Sequence, residues 1–300
     1  MEKRLSPETA QKIRQLEIKT RRLLQGYYIG EHRAAQKGYG LEFEQLSDYQ
    51  FGHDVRFIDW KSSARMNKLL VREYKDERNR SIIIAFDISA STFFGAQRSK
   101  NDVMIDTATI LIMAGFYSKD MVGLVLFSDH VEKYIPPARS RQHIELLLRT
   151  LCEIKPTEKK TSVSSALDYI ARLKRRDAIV FVVSDMIDEE QSHNRENARF
   201  DKALKMICAH NDCIVLRMRD QLEKELPTAG FVTAIDSETK QEVLLNLSNS
   251  GAKKCNRLLH AFNEQQSKLL KASGADTVDI ENPEKIVEQL VRFFQARASR

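Results

Sequence analysis

From Ser81 onward the chain alternates between two patterns of apolar and polar positions. The run Ile82-Ile83-Ile84-Ala85-Phe86 is continuously apolar and bounded by polar residues, which predicts a strand covered on both faces. Met121 to Phe127, Ala178 to Val183 and Cys213 to Leu216 repeat it. Between these runs, apolar positions recur at helical spacing: Val103, Thr107, Ala108, Leu111 and Ile112, then Ile144, Leu147, Leu148 and Leu151, then Val163, Ala166, Leu167 and Ile170. Strands alternating with helices imply crossover connections. The fold class expected is therefore α/β: a doubly wound, mostly parallel sheet flanked by helices.

Outside that block the pattern is weaker. Ser6-Pro7-Glu8 reads as a helix start, since serine caps free N–H groups and proline fits the first helical position. Ile13, Leu16, Leu23 and Leu24 continue an imperfect apolar stripe. From Gly38 to Arg80, glycine punctuation and aromatic residues set among charges predict extended structure and loops. Phe231 to Ala234 and Glu242 to Leu245 flank a polar turn and predict a hairpin appended to the main sheet. Asn282-Pro283 predicts the cap of a final helix carrying Ile286, Val287, Leu290, Val291 and Phe294 on one side. The expected organisation is an N-terminal helix and insert over 1–80, packed on a main domain over 81–300.

Lys and Arg number 48 against 42 Asp and Glu, so the chain is only mildly basic. A nucleic-acid surface needs clustering as well as excess. The clearest cluster is Lys12, Arg14, Lys19, Arg21, Arg22, Arg33 and Lys37, which reads first as a solvated helix face. Nucleic-acid binding through this basic N-terminal region is the weakest functional reading, because aromatic residues are not interleaved as a stacking platform requires. Cys152, Cys208, Cys213 and Cys255 show no metal-like spacing and are expected to be buried free thiols. No apolar stretch follows Met1-Glu2-Lys3-Arg4, and no run approaches the ~18 apolar residues of a membrane span. A cytoplasmic protein with no membrane span is expected.

In open parallel sheets, ligands sit outside the carboxyl ends of the strands. The first apolar run ends in Asp87-Ile88-Ser89-Ala90-Ser91 and the third in Ser184-Asp185, which places two carboxylates and two hydroxyls at one edge if those strands are neighbours. Thr161 adds a further oxygen just before the helix that begins near Ser162. An all-oxygen set with few carboxylates suits a hard cation, chiefly Mg²⁺, with Mn²⁺ or Ca²⁺ as alternatives. Taken singly, Asp185 and Thr161 read equally well as helix caps.

Asp87, Ser89 and Ser91 form a D-x-S-x-S string that resembles the metal-ion-dependent adhesion site of von Willebrand factor type A domains, and Thr161 and Asp185 fall where that family places its remaining threonine and aspartate. The resemblance implies that Ser89 and Ser91 ligate the metal directly. Asp87 and Asp185 would act directly or through water, and Thr161 in one of two conformations. One position is then left for an acidic side chain of a partner. Neutral hydroxyl ligands leave much of the cation's charge uncompensated, which favours an incoming carboxylate.

A second resemblance covers most of the chain. Gly38-Tyr39-Gly40-Leu41-Glu42-Phe43, Asp48-Tyr49 and Gly52-His53-Asp54-Val55-Arg56-Phe57-Ile58-Asp59-Trp60, continued by Ser63-Ala64-Arg65 and Leu70-Val71-Arg72-Glu73, are similar to the signature of the bacterial domain-of-unknown-function family 58. Asp220, Glu223, Leu226, Pro227 and Gly230 extend the match. His53 departs from it, standing where an acidic residue is usual, as does Gln221, where proline is common. The resemblance implies an adaptor that works with a MoxR-type AAA+ ATPase during assembly or maturation of a client protein. Asp54, Arg56, Asp59, Arg65, Arg72 and Glu73 are expected to form an ion-pair network around Trp60, either as scaffolding or as a second contact surface for the ATPase.

The rival from another class is a phosphatase-like, metal-dependent hydrolase using Asp87 as nucleophile. Enzymes of the haloacid dehalogenase type carry a second acid two residues later, and here that residue is Ser89. The proton donor is thus missing. A Walker-type loop is missing as well, and a non-catalytic binding module is the expectation.

Overall fold

The computed structural model describes residues 42–50, 55–75, 81–93, 99–154, 161–173, 175–187, 194–220, 223, 225–235, 242–280 and 283–298. The helix start at Ser6, the basic cluster, Gly38 to Gly40, His53, Asp54, Gln221 and Asn282 lie outside them. Two compact units are distinguished: Gln25–Asn79, and a body that contains Arg80–Arg300.

In the first unit, β1 (Glu42–Asp48) is followed by α1 (Trp60–Met66) and then by β2 (Leu70–Lys75), which pairs antiparallel with β1. Asp59 starts the helix by accepting hydrogen bonds from the backbone N–H of Lys61 and Ser62, both at 3.1 Å. Asn67, in left-handed backbone at φ 52°, ends it. Extended structure and loops were expected here. The helix escapes the sequence pattern because Ser63 is its buried position, so it carries no apolar stripe. Asp59 pairs with Arg72 at 3.0 Å, and Trp60 is 67% exposed. Asp54 and the side chains of Arg56 and Glu73 lie outside the described residues.

The body runs β3 (Ser81–Asp87), α2 (Lys100–Tyr117), β4 (Met121–Phe127), β5 (Val131–Ala138), α3 (Arg141–Cys152), α4 (Val163–Arg172), β6 (Ile179–Ser184), α5 (Asn194–Cys208), β7 (Asp212–Met218), β8 (Phe231–Ile235), β9 (Glu242–Asn246), α6 (Asn249–Ala272), β10 (Asp276–Ile280) and α7 (Ile286–Ala298). Six strands form one sheet in the order β10-β7-β6-β3-β4-β5. All neighbours are parallel except β4 and β5. The α/β class and the mostly parallel sheet read from the sequence are both observed.

Alternation along β3 divides the core. Ile82, Ile84 and Phe86 pack on one face with α2, α3 and α7, and Ile83 and Ala85 on the other with α4 and α5. Each large side chain so buried contributes about 1.5–3 kcal/mol. The α2 helix begins at Ser99, whose hydroxyl accepts from Asp102 N at 3.1 Å, and it is buried on nearly every side. Gly115 permits its close approach to the sheet. A Cβ there would lie 2.7 Å from Val122 Cγ2 and 2.9 Å from Ile82 Cδ1.

Two expectations need correction. The hairpin of β8 and β9 is a separate two-stranded sheet rather than an extension of the main one. Burial of the thiols holds fully for Cys213, while Cys152, Cys208 and Cys255 are half-buried, and all four are free. Among the described residues, no helix is long and apolar enough to cross a membrane.

Candidate functional site

The chain leaves β3 for β4 on one side of it, whereas β6, β7 and β10 add successively on the other. Strand order therefore reverses between β3 and β6, and in open α/β sheets ligands bind at such a position, outside the carboxyl ends of the strands. Asp87 is the last residue of β3 and Ser184 the last of β6, so this one seam brings together two segments far apart in sequence.

Asp87 is fully buried and held from two directions. Ser184 Oγ donates to its Oδ2 at 2.6 Å, and the backbone N–H of Ser89 donates to its Oδ1 at 2.9 Å. The next residues form a tight turn in which Thr92 Oγ1 donates to Ser89 O at 2.8 Å. That turn sets Ser89 Oγ and Ser91 Oγ 3.1 Å apart. Asp185 is fully buried, and its Oδ1 accepts from Ile187 N at 3.1 Å. Met186 between them has φ 60°, a left-handed backbone that a side chain of its size rarely takes. Ser184 Oγ accepts from Met186 N at 2.9 Å, and Gln266 Nε2 of α6 donates to Met186 O.

Thr161 reaches the same edge by connectivity. Ile88 N donates to Phe127 O, the end of β4, and Ser162 N donates to Ser128 O, each at 2.8 Å. Thr161 is buried beside that link. The bland reading of both residues as caps does not hold. Ser162, not Thr161, caps α4, and among the described residues the next helix after Asp185 begins only at Asn194.

Burial, and then the neighbouring charge of Asp185, push Asp87 up to about 7, against the hydrogen bonds from Ser184 and Ser89. Two buried carboxylates that repel each other are what an added cation would relieve. The serine hydroxyls fit the same group: adjacent oxygens around an octahedral Mg²⁺ lie about 2.9 Å apart, given ligand distances of 2.0–2.1 Å. The donor set is all oxygen, so the residues present suit a hard cation.

The sequence reading missed the residues that brace this site. Lys100 Nζ lies 3.0 Å from Asp185 Oδ2 and also pairs with Glu223. Burial works against its charge, but Asp185 and Glu223 outweigh that and raise its pKa. Gln266 Oε1 accepts from Arg217 Nη1 at 3.0 Å and Arg219 Nη2 at 2.8 Å. Arg217 is further clamped by Asp279 of β10. Glu223 belongs to a motif visible in the sequence, but nothing local ties it to Lys100. A second group of ligand type lies where β4 turns into β5: Asp129 and His130 in the turn and Glu132 at the start of β5. There Ser128 Oγ donates to both carboxylates at 3.1 Å.

Comparison with known proteins adds a family match. The model described as "Protein of unknown function DUF58" matches residues 45–265. Uncharacterized protein Rv1480 of Mycobacterium tuberculosis is 24% identical over 294 residues, covering 97% of this chain and 90% of that one. Uncharacterized protein YeaD of Bacillus subtilis is 28% identical over 200 residues, covering 63% of this chain and 48% of that one. Among solved structures, BatB from Bacteroides thetaiotaomicron aligns with a TM-score of 0.45 at 15% identity, over 72% of this chain and 99% of that chain. The SpRpn10 VWA domain aligns with a TM-score of 0.42 at 12% identity, over 70% and 93%.

Proposed function

The chain belongs to the DUF58 family, and from that premise we propose that it is a non-catalytic, divalent-cation-dependent protein-binding adaptor. The observation that carries this reading is the gathering of Asp87, Ser89, Ser91 and Asp185 at the point where strand order reverses, in a set with hydroxyls and only two acids. Ser89 and Ser91 would hold the ion directly. Asp87 and Asp185 would hold it directly or through water, and Thr161 would join from the start of α4. Bound there, Mg²⁺ supplies a positive charge that neutral ligands leave partly uncompensated, which attracts an acidic side chain. Ser184 and the Ser89 N–H fix the Asp87 carboxylate, and Ile187 N and Lys100 fix that of Asp185.

The partner we infer is a MoxR-type AAA+ ATPase, or a client protein that it remodels, offering an aspartate or glutamate to the site. Hydrolysis with Asp87 as nucleophile is the poorer account. A nucleophile must reach its substrate, but the Asp87 carboxylate is fully buried and both its oxygens accept hydrogen bonds. Pull-down of a MoxR-type ATPase from native lysate tests the reading. Capture should require Mg²⁺ and be lost in a folded Ser89→Ala variant. Equal capture by folded wild type and Ser89→Ala/Asp87→Ala double variant, or turnover of phosphate esters that tracks Asp87, would refute it.

A further inference from the structure

Lys100 stands in the first turn of α2 with a side chain only 8% exposed. Lysine is rarely withdrawn from water unless it is paired, and here two carboxylates share one ammonium. Each oxygen of the Asp185 carboxylate has a partner: Ile187 N donates to Oδ1 and Lys100 Nζ to Oδ2. Glu223 is itself anchored. Its Oε2 accepts from Asp220 N at 3.1 Å, and its backbone oxygen accepts from Asn263 Nδ2 of α6 at 3.4 Å. The ammonium therefore has two fixed acids to choose between, and one of them belongs to the candidate cation site.

We propose that Lys100 is a tethered competitor of the divalent cation, and that Glu223 is the acid that keeps its ammonium when the cation takes Asp185. The proposal rests on the cation reading of Asp87, Ser89, Ser91 and Asp185. Two positive charges repel strongly at short range in a buried site, so the ammonium and the ion cannot share the Asp185 oxygens without cost. Lys100 thereby raises the cation concentration at which the site fills. Glu223 opposes that effect by giving the ammonium a second resting place.

Calorimetric titration of Mn²⁺ into the full chain tests this with Lys100→Gln, Glu223→Gln and Asp185→Asn beside the wild type. Lys100→Gln should bind Mn²⁺ about tenfold more tightly or better, and Glu223→Gln should bind more weakly by a similar factor, as expected for single charges acting across a few ångströms. A pair that merely props up the fold predicts that both variants weaken binding or that neither does. Unchanged or weaker binding by a folded Lys100→Gln overturns the proposal. If that variant does not fold, Glu223→Gln decides alone, and unchanged or tighter binding overturns it. These failures would leave the cation reading standing, provided that the wild type binds Mn²⁺ and Asp185→Asn does not. No Mn²⁺ binding by the wild type would overturn the cation reading, and this inference with it.

Discussion

Ser184 Oγ donates a 2.6 Å hydrogen bond to Asp87 Oδ2 across 97 residues of sequence, joining the last residues of two neighbouring parallel strands. The same hydroxyl accepts from Met186 N at 2.9 Å. One serine thus orients the buried acid of β3 and the backbone that presents Asp185.

Ser184→Ala should therefore do two things. It leaves the Met186 N–H without its acceptor and Asp87 Oδ2 without its serine donor, which destabilises the protein by about 1–3 kcal/mol in urea unfolding at neutral pH. It also removes a bond that favours the ionised form of Asp87, so Mn²⁺ affinity at pH 7 should fall and recover at higher pH. Full affinity at pH 7 would contradict this role.

The pH dependence of the wild type has a defined sign. An acid raised in the folded protein from 3.8 to about 7 binds more protons there than in the unfolded chain. Asp87 therefore favours folding below its unfolded value, and that contribution is lost as pH climbs toward 7. A cation needs the ionised form, so its affinity should fall about tenfold for each pH unit below 7. Melting temperatures measured with Mg²⁺ and with a chelator should differ more at pH 8 than at pH 6. An equal difference would show that Asp87 does not titrate with the ion.

Gln266→Ala should cost more than an ordinary surface change. It strands the Met186 carbonyl and removes an acceptor shared by Arg217 and Arg219. A loss of about 2–4 kcal/mol is expected in urea unfolding, together with weaker Mn²⁺ binding. Loss of stability with unchanged Mn²⁺ affinity would mean that α6 does not position Asp185.

Gly115→Val should push α2 off the sheet, because the new Cβ falls within 2.9 Å of both Val122 and Ile82. Overpacking of this kind costs about 1–3 kcal/mol. Mn²⁺ affinity should be preserved in the folded fraction, since Gly115 lies near the opposite end of the helix from Lys100.

The four central strands were legible because burial on both faces makes each a continuous apolar run. The edge strands were not. In β5 the exposed positions outnumber the buried Ile135, and Pro136 and Pro137 read as a break although an edge strand tolerates them. β10 is a short run, Asp276–Ile280, that mixes acids with apolar residues. The long α6 escaped because it buries Ala252, Gln266 and Leu270 while exposing Leu258 and Phe262, so it shows no clean stripe. At the site, Asp87, Ser89, Ser91 and Asp185 could be picked out because each lies at the end of a strand that reads as a continuous apolar run, or within four residues of that end. Lys100 could not, since its acids lie 85 and 123 residues away and a lysine in a helix's first turn reads as solvated.

Met186 holds a backbone geometry that glycine would adopt freely, and it does so between fasteners from two parts of the fold. Such a torsion resists relaxation, so the acid beside it is aimed before any visitor arrives. Under the proposed reading, an incoming acidic group meets a site whose geometry is already set, so little of the interaction is lost to ordering the loop.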